Sequence, residues 1–84
     1  MNLLFTEDSW NDYLFWFKND IKLLKKINKL LKEIKRNPFS GTGKPEPLKY
    51  KLKGCWSRRI NDEHRLVYEI NNEEIRIVSC RYHY

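Results

Sequence analysis

A carboxylate held between two prolines, two arginines on facing strands and a histidine close to the C-terminus have the types needed for acid–base chemistry on a phosphate. The stretch Trp56 to Tyr68, WSRRINDEHRLVY, alternates Trp56 and Ile60 with Ser57 and Arg59, then His64, Leu66 and Tyr68 with Arg65 and Val67, around the polar residues Asn61, Asp62 and Glu63. That alternation predicts a β-hairpin with one apolar and one basic face. A three-residue loop pairs Ile60 with His64 and sets Arg59 opposite Arg65, whereas a two-residue loop sets Arg58 there instead. Like charges about 5 Å apart across a ladder repel, and an anion between them removes the repulsion. Guanidinium forks match phosphate oxygens in a bidentate way, so the hairpin reads as a phosphate site on a rigid sheet. The plainer alternative is a solvated pair of edge arginines.

Two further stretches carry chemistry. In FSGTGKPEPLK, Phe39 to Lys49, Pro45 and Pro47 restrict Glu46 and its neighbours, so the carboxylate is held on a stiff surface connection. Glu46 with the cationic Lys49 nearby suits a general base, the alternative being an exposed loop glutamate. The chain closes on CRYHY, Cys80 to Tyr84. His83 titrates near neutrality and suits protonation of a leaving group, while Tyr84 can stack on a nucleobase at ~1–3 kcal/mol, unless both simply cover the core. A base, opposed arginines and an acid are what metal-free RNA cleavage requires, and in such a reaction Glu46 would deprotonate the ribose 2′-hydroxyl, Arg65 and its neighbours would stabilise charge on phosphorus, and His83 would protonate the departing 5′-oxygen. DNA lacks that nucleophile.

These residues need a scaffold, and the rest of the chain supplies one. Asn2 to Phe5 reads as a short strand, and Thr6 caps a first helix with Glu7 and Asp8 in its first turn. Trp10, Tyr13, Leu14 and Phe17 form its expected core stripe, running to about Asn19. Asp20 caps a second helix in which Ile21, Leu24, Ile27, Leu31 and Ile34 keep the helical period while Lys22, Lys25, Lys29 and Lys32 face elsewhere, and Asn37 and Pro38 end it. That lysine face suits either RNA or plain solvent. Strands are expected over Tyr50 to Ile60, His64 to Ile70 and Ile75 to Cys80, with Asn71 and Asn72 as a turn. The fold class is therefore α+β: two N-terminal helices packed on a small antiparallel twisted sheet, in the order β-α-α-β-β-β.

Composition bounds the partners. Eighty-four residues make one domain, 1–84, in which 40% hydrophobic and 14% aromatic residues must supply a core from large side chains. Seventeen Lys and Arg against eleven Asp and Glu leave a net charge of +6, which favours a polyanionic partner. Cys55 and Cys80 form no CxxC or Cys/His cluster, so no metal site is expected and both thiols are expected reduced. Without a secretory h-region or an apolar run of ~18 residues, the expectation is a soluble, cytoplasmic chain with no membrane contact.

GKPEPLK, WSRRI, EHRLVY and CRYHY, in this order and over the whole chain, closely resemble the YoeB (Txe/YoeB) toxins of the RelE superfamily. Glu46 between prolines together with the terminal YHY carries the resemblance; Cys55 and the helix faces depart from the family pattern. The resemblance implies a RelE-like fold and the toxin component of a type II toxin–antitoxin system. It implies a ribosome-dependent mRNA endonuclease that cleaves message in the A site of the 70S ribosome, metal-free and without a cofactor. A cognate YefM-like antitoxin with an acidic disordered tail would neutralise it, and a homodimer is left open. Carried over, Glu46 is general base, Arg65 the transition-state phosphate ligand and His83 general acid, with Lys49 and Arg59 as supporting cations and Tyr84 stacking on substrate. A noncatalytic RNA-binding module and a gyrase-binding toxin of the same fold are the alternatives.

Overall fold

The computed structural model describes residues 1–82. Strand β1 (Asn2–Phe5) leads into helix α1 (Glu7–Asn19), helix α2 (Ile21–Arg36), a two-residue strand β2 (Glu46–Pro47), a 3-10 turn (Tyr50–Leu52), and strands β3 (Trp56–Arg59), β4 (Arg65–Asn71) and β5 (Glu74–Ser79). The Thr6 hydroxyl accepts from the Ser9 amide at 3.1 Å to start α1. Asp20 ends α1, its amide donating to the Trp16 carbonyl at 2.8 Å, and starts α2, its side chain accepting from the Leu23 amide at 3.1 Å. One residue serving as both caps leaves no linker, so the helices fold back as a hairpin.

The five strands form one sheet in the order β1-β5-β4-β3-β2. Pairing is antiparallel from β2 through β5, but β1 runs parallel to β5, with Leu3 against Ile75 and Phe5 against Ile77. The sheet is thus mixed, not purely antiparallel as the turn chemistry suggested. Tight turns dictate antiparallel pairing only between strands they join directly; β1 reaches its neighbour through the whole helical hairpin and the meander, a connection long enough for either sense. The expected strand from Tyr50 also begins later. Tyr50 at φ 58° and Gly54 at φ 97° bend the chain, and the Leu48 amide donates to the Cys55 carbonyl at 2.9 Å, closing a hairpin in which Glu46–Pro47 pairs with β3. An edge position tolerates Pro47, which has no amide to give.

The main core lies between the helices and one sheet face, where Leu24, Ile27, Leu31 and Ile34 meet Ile60, Leu66, Tyr68, Ile75 and Ile77. The α2 stripe is as expected except that Leu30 joins it and Ile21 stays half exposed. In α1 the buried face is displaced by one position: Ser9 and Trp16 are buried, while Trp10 and Phe17 remain 46% and 59% exposed. The small Ser9 lets Cys80 Sγ approach its carbonyl, and the Trp16 indole donates to the Cys80 carbonyl at 2.8 Å. Trp10 instead stacks on Tyr13 and meets Phe5 edge-on at the rim. A second, smaller cluster of Leu48, Cys55 and Val67 occupies the other face of the sheet.

Candidate active site on the open sheet face

Strand parity decides which arginine reaches solvent. β3 and β4 pair with Ser57 against Val67, Arg58 against Leu66 and Arg59 against Arg65, the register of the three-residue loop. Directly paired residues share a face. Ser57, Arg59, Arg65 and Val67 therefore lie on the side away from the helices, and Glu46, paired with Ser57, joins them. By strand spacing, Glu46 sits about 8 Å from Arg59 and about 12 Å from Arg65 between Cα positions, a gap that extended Glu and Arg side chains close around a group of phosphate size. Lys49 follows three residues on, exposed at the start of the 3-10 turn, and lines with Glu46 a shallow cavity of about 300 Å³.

Arg65 is held in place. Its Nη1 donates to the Asn61 carbonyl at 2.7 Å and to the His64 carbonyl at 3.0 Å. Among the described residues, those two bonds use one terminal nitrogen of the five-donor fork and leave its other edge for an anion. Arg59 is exposed, and its amide donates to the Gly43 carbonyl at 2.6 Å. Gly43 has φ 83°, and a Cβ there would stand 3.0 Å from the Arg59 carbonyl, so only glycine lets that loop lie against β3. Beyond Arg59 the positive surface continues into a groove of about 920 Å³ edged by Lys22, Lys25, Lys26, Lys29 and Lys44. This larger cavity is not where Glu46 lies; Arg59 borders it and joins the two regions.

Arg58, one residue away, has the opposite fate, and the alternation that made one hairpin face wholly apolar and the other basic is broken there. Its side chain is fully buried on the helix side, with Nε donating to the Tyr68 hydroxyl at 3.2 Å and Nη1 to Glu33 Oε1 at 2.8 Å and to the Thr42 carbonyl at 3.2 Å. Nη2 donates to the Ser40 carbonyl at 2.8 Å and to the Asn37 carbonyl. Hydrogen bonds from the Thr42 hydroxyl and amide, then the Arg58 fork, hold the Glu33 carboxyl below its ordinary value. Arg58 thus ties the end of α2 to the loop that carries Gly43. Periodicity could not find this role, since an arginine among apolar strand positions reads as an interruption rather than as a tether.

His83 and Tyr84 lie outside the described residues. The segment before them is docked against both α1 and the hairpin. The Cys80 amide donates to Asp12 Oδ2 at 3.0 Å, the Arg81 guanidinium covers the Phe15 ring at 3.5 Å, and the Arg65 amide donates to the Tyr82 carbonyl at 3.1 Å. Burial pushes the Asp12 carboxyl up, against the pull of the Cys80 amide and Arg81. Burial, and then the Asp12 charge, raise the Cys80 thiol to about 12; Cys55 is also free, buried and raised. Among the described residues no group of three His, Cys, Asp or Glu side chains is arranged to hold a metal ion, and no helix is long and apolar enough to cross a membrane.

Comparison with known proteins bears on the family and the fold of the chain. The model of the YoeB-like toxin of bacterial type II toxin–antitoxin systems matches residues 5–84. Toxin YoeB of Synechocystis is 62% identical over the whole of this chain and 98% of its own. The YoeB/ParE toxin from Agrobacterium tumefaciens superposes over the full length of both chains with a TM-score of 0.96 at 48% identity. The toxin in the heterotetrameric YoeB–YefM complex from Staphylococcus aureus superposes over all of this chain and 98% of its own, with a TM-score of 0.92 at 52% identity. With the family model spanning all but the first four residues and relatives this similar end to end, the chain belongs to the YoeB-like toxins of bacterial type II toxin–antitoxin systems.

Proposed function

We propose that this toxin is an endonuclease that cuts messenger RNA on the ribosome, by metal-free attack of a ribose 2′-hydroxyl on its own phosphodiester. The observation that carries the proposal is the direct pairing of Arg59 with Arg65 on a face that also holds Glu46. Two cations on one rung repel unless an anion lies between them, and a scissile phosphate is such an anion. Glu46 takes the 2′-hydroxyl proton, the freed oxygen forms a bond to phosphorus, and the bond to the 5′-oxygen breaks. The leaving oxygen takes its proton from His83. Arg65, already oriented by two loop carbonyls, meets the charge that grows on the phosphoryl oxygens, with Arg59 and Lys49 adding to the field. Tyr84 stacks on a substrate base.

The Staphylococcus relative found in complex with YefM supports a cognate, YefM-like antitoxin for this chain too; the basic face of Arg59 and Arg65 suits an acidic segment of such a partner. The lysine groove beyond Arg59 favours a second reading, RNA binding without cleavage. One experiment separates the two. Purified toxin is added to translating ribosomes and the message ends are mapped. Cleavage leaving 5′-hydroxyl and 2′,3′-cyclic or 3′-phosphate ends supports the endonuclease; 5′-phosphate ends overturn the 2′-hydroxyl chemistry, and intact message overturns catalysis.

A further inference from the structure

We propose that His64 is a positioning residue, whose ring anchors the C-terminal segment by holding the backbone of Tyr82 beside Arg65. The inference rests on the endonuclease reading above for its catalytic consequence, and on geometry for the anchor itself.

His64 immediately precedes β4, the second strand of the hairpin, and is only 6% exposed. Its amide and that of Glu63 donate to Asn61 Oδ1 at 2.7 and 2.9 Å, which fixes the turn. Its carbonyl accepts from Ile60, closing the hairpin, and from Arg65 Nη1, orienting the phosphate ligand. Its ring faces the other way. Nδ1 accepts from the Tyr82 amide at 2.7 Å while the Arg65 amide donates to the Tyr82 carbonyl at 3.1 Å, so residue 82 is gripped at both its backbone groups. One residue thus holds the phosphate-binding arginine through its carbonyl and the segment leading to the proposed acid through its ring.

Three more observations make this a built anchor rather than an incidental contact. The His64 ring stands edge-on to Trp16 with centroids 4.7 Å apart, and the Trp16 indole itself donates to the Cys80 carbonyl, so the two rings hold alternate residues of the segment. Arg81, between them, lies over Phe15. Tyr82 sits in the left-handed region at φ 64°, a conformation that a bulky residue keeps only when its surroundings impose it. An acceptor at the Nδ1 position supplies the hold, since a donor there would face the Tyr82 N–H.

Substitution separates anchoring from packing. In His64→Asn the amide oxygen falls where Nδ1 was, so the acceptor survives without the ring. In His64→Gln more volume is kept but the acceptor is displaced, and His64→Ala loses both. Backbone amide exchange at Tyr82 and single-turnover cleavage at saturating ribosome are measured for each, with β4 and β5 amides as the internal control for folding. Gln and Ala are expected to speed Tyr82 exchange and slow cleavage by roughly tenfold, the loss of about one hydrogen bond, with ribosome affinity changed by less than about twofold. Asn is expected to recover most of both. A cleavage rate for Gln equal to or above that of Asn makes the ring a packing element and overturns the proposal. So does fast Tyr82 exchange with undiminished cleavage, and so does a Tyr82 amide that stays protected in all three. If Ala does not fold, the Asn and Gln pair still decides. Intact message with the wild-type protein refutes the endonuclease reading instead, and the exchange ranking alone then decides whether His64 is the anchor.

Discussion

Replacing Arg58 should destabilise the protein more than replacing Arg59, although the two are neighbours in sequence and identical in type. All five N–H donors of Arg58 are engaged, by Tyr68, Glu33 and the carbonyls of Asn37, Ser40 and Thr42. Removing one partner of a buried pair typically costs 3–5 kcal/mol because the other is left uncompensated. Here the loop carbonyls and Glu33 can take up water, and Tyr68 keeps its bond to the Pro38 carbonyl at 2.6 Å, so the lower end applies. Arg58→Met is therefore expected to lose about 3 kcal/mol, and Arg58→Lys, whose three donors replace five, about 2 kcal/mol. For a domain of this length total stability is of the order of 4–13 kcal/mol, so the Met variant lowers Tm by roughly 12–24 °C. Urea unfolding at a common slope measures both, and amide exchange over residues 37–44 should rise before that of β4 and β5. Arg58→Lys within about 0.5 kcal/mol of wild type would refute the fork argument, since an error of that size is all that a surface position ordinarily produces.

Arg65→Lys keeps the charge but loses the planar fork and its two carbonyl bonds; cleavage should fall by ~10²-fold or more, read as single-turnover rate, and near wild-type activity would make Arg65 merely electrostatic. Deleting His83 and Tyr84 should remove cleavage, a general acid contributing ~10²–10⁴-fold, while Tm and antitoxin binding stay close to wild type; a large drop in Tm would make the terminus a structural plug. Alkali should unfold the protein through Cys80. Its thiol ionises near 9.0 in the unfolded chain but only at about 12 when folded, so the stability present below pH 9 is lost as pH rises towards 12, by up to about 4 kcal/mol. Urea midpoints from pH 8 to 11 should fall less steeply in Cys80→Ala, with the raised Tyr68 and Cys55 leaving a residual slope; equal slopes would remove Cys80 from the account.

The elements were legible where a local rule acts alone. Thr6 and Asp20 cap where short polar side chains before apolar periods should, and the β3–β4 register follows from the three polar residues between them. The buried face of α1 was not legible, because five aromatics in the eight residues from Trp10 to Phe17 satisfy more than one helical stripe; burial went to the one whose indole reaches a carbonyl of β5's extension. Nor was the parallel pairing of β1, which depends on where the meander ends rather than on anything within Asn2–Phe5.

For the site, alternation identified the arginine pair but not the difference between its members and their neighbour. A strand with period two assigns Arg59 and Arg65 to one face and Arg58 to the other, and nothing within the strand says which face the helices cover. The decision comes from 25 residues earlier, where Glu33 sits on the last turns of α2, and from the loop carbonyls that the end of α2 exposes. A cation can be buried only where such partners converge, so Arg58 is inward because α2 ends beside it, and Arg59 and Arg65 are then forced outward together. The same parity carries Glu46 to their face through its pairing with Ser57. The proposed chemistry on the open side is in this sense a consequence of the tether on the covered side: slipping β3 by one residue would bury Arg59, expose Arg58 and turn Ser57 inward at once.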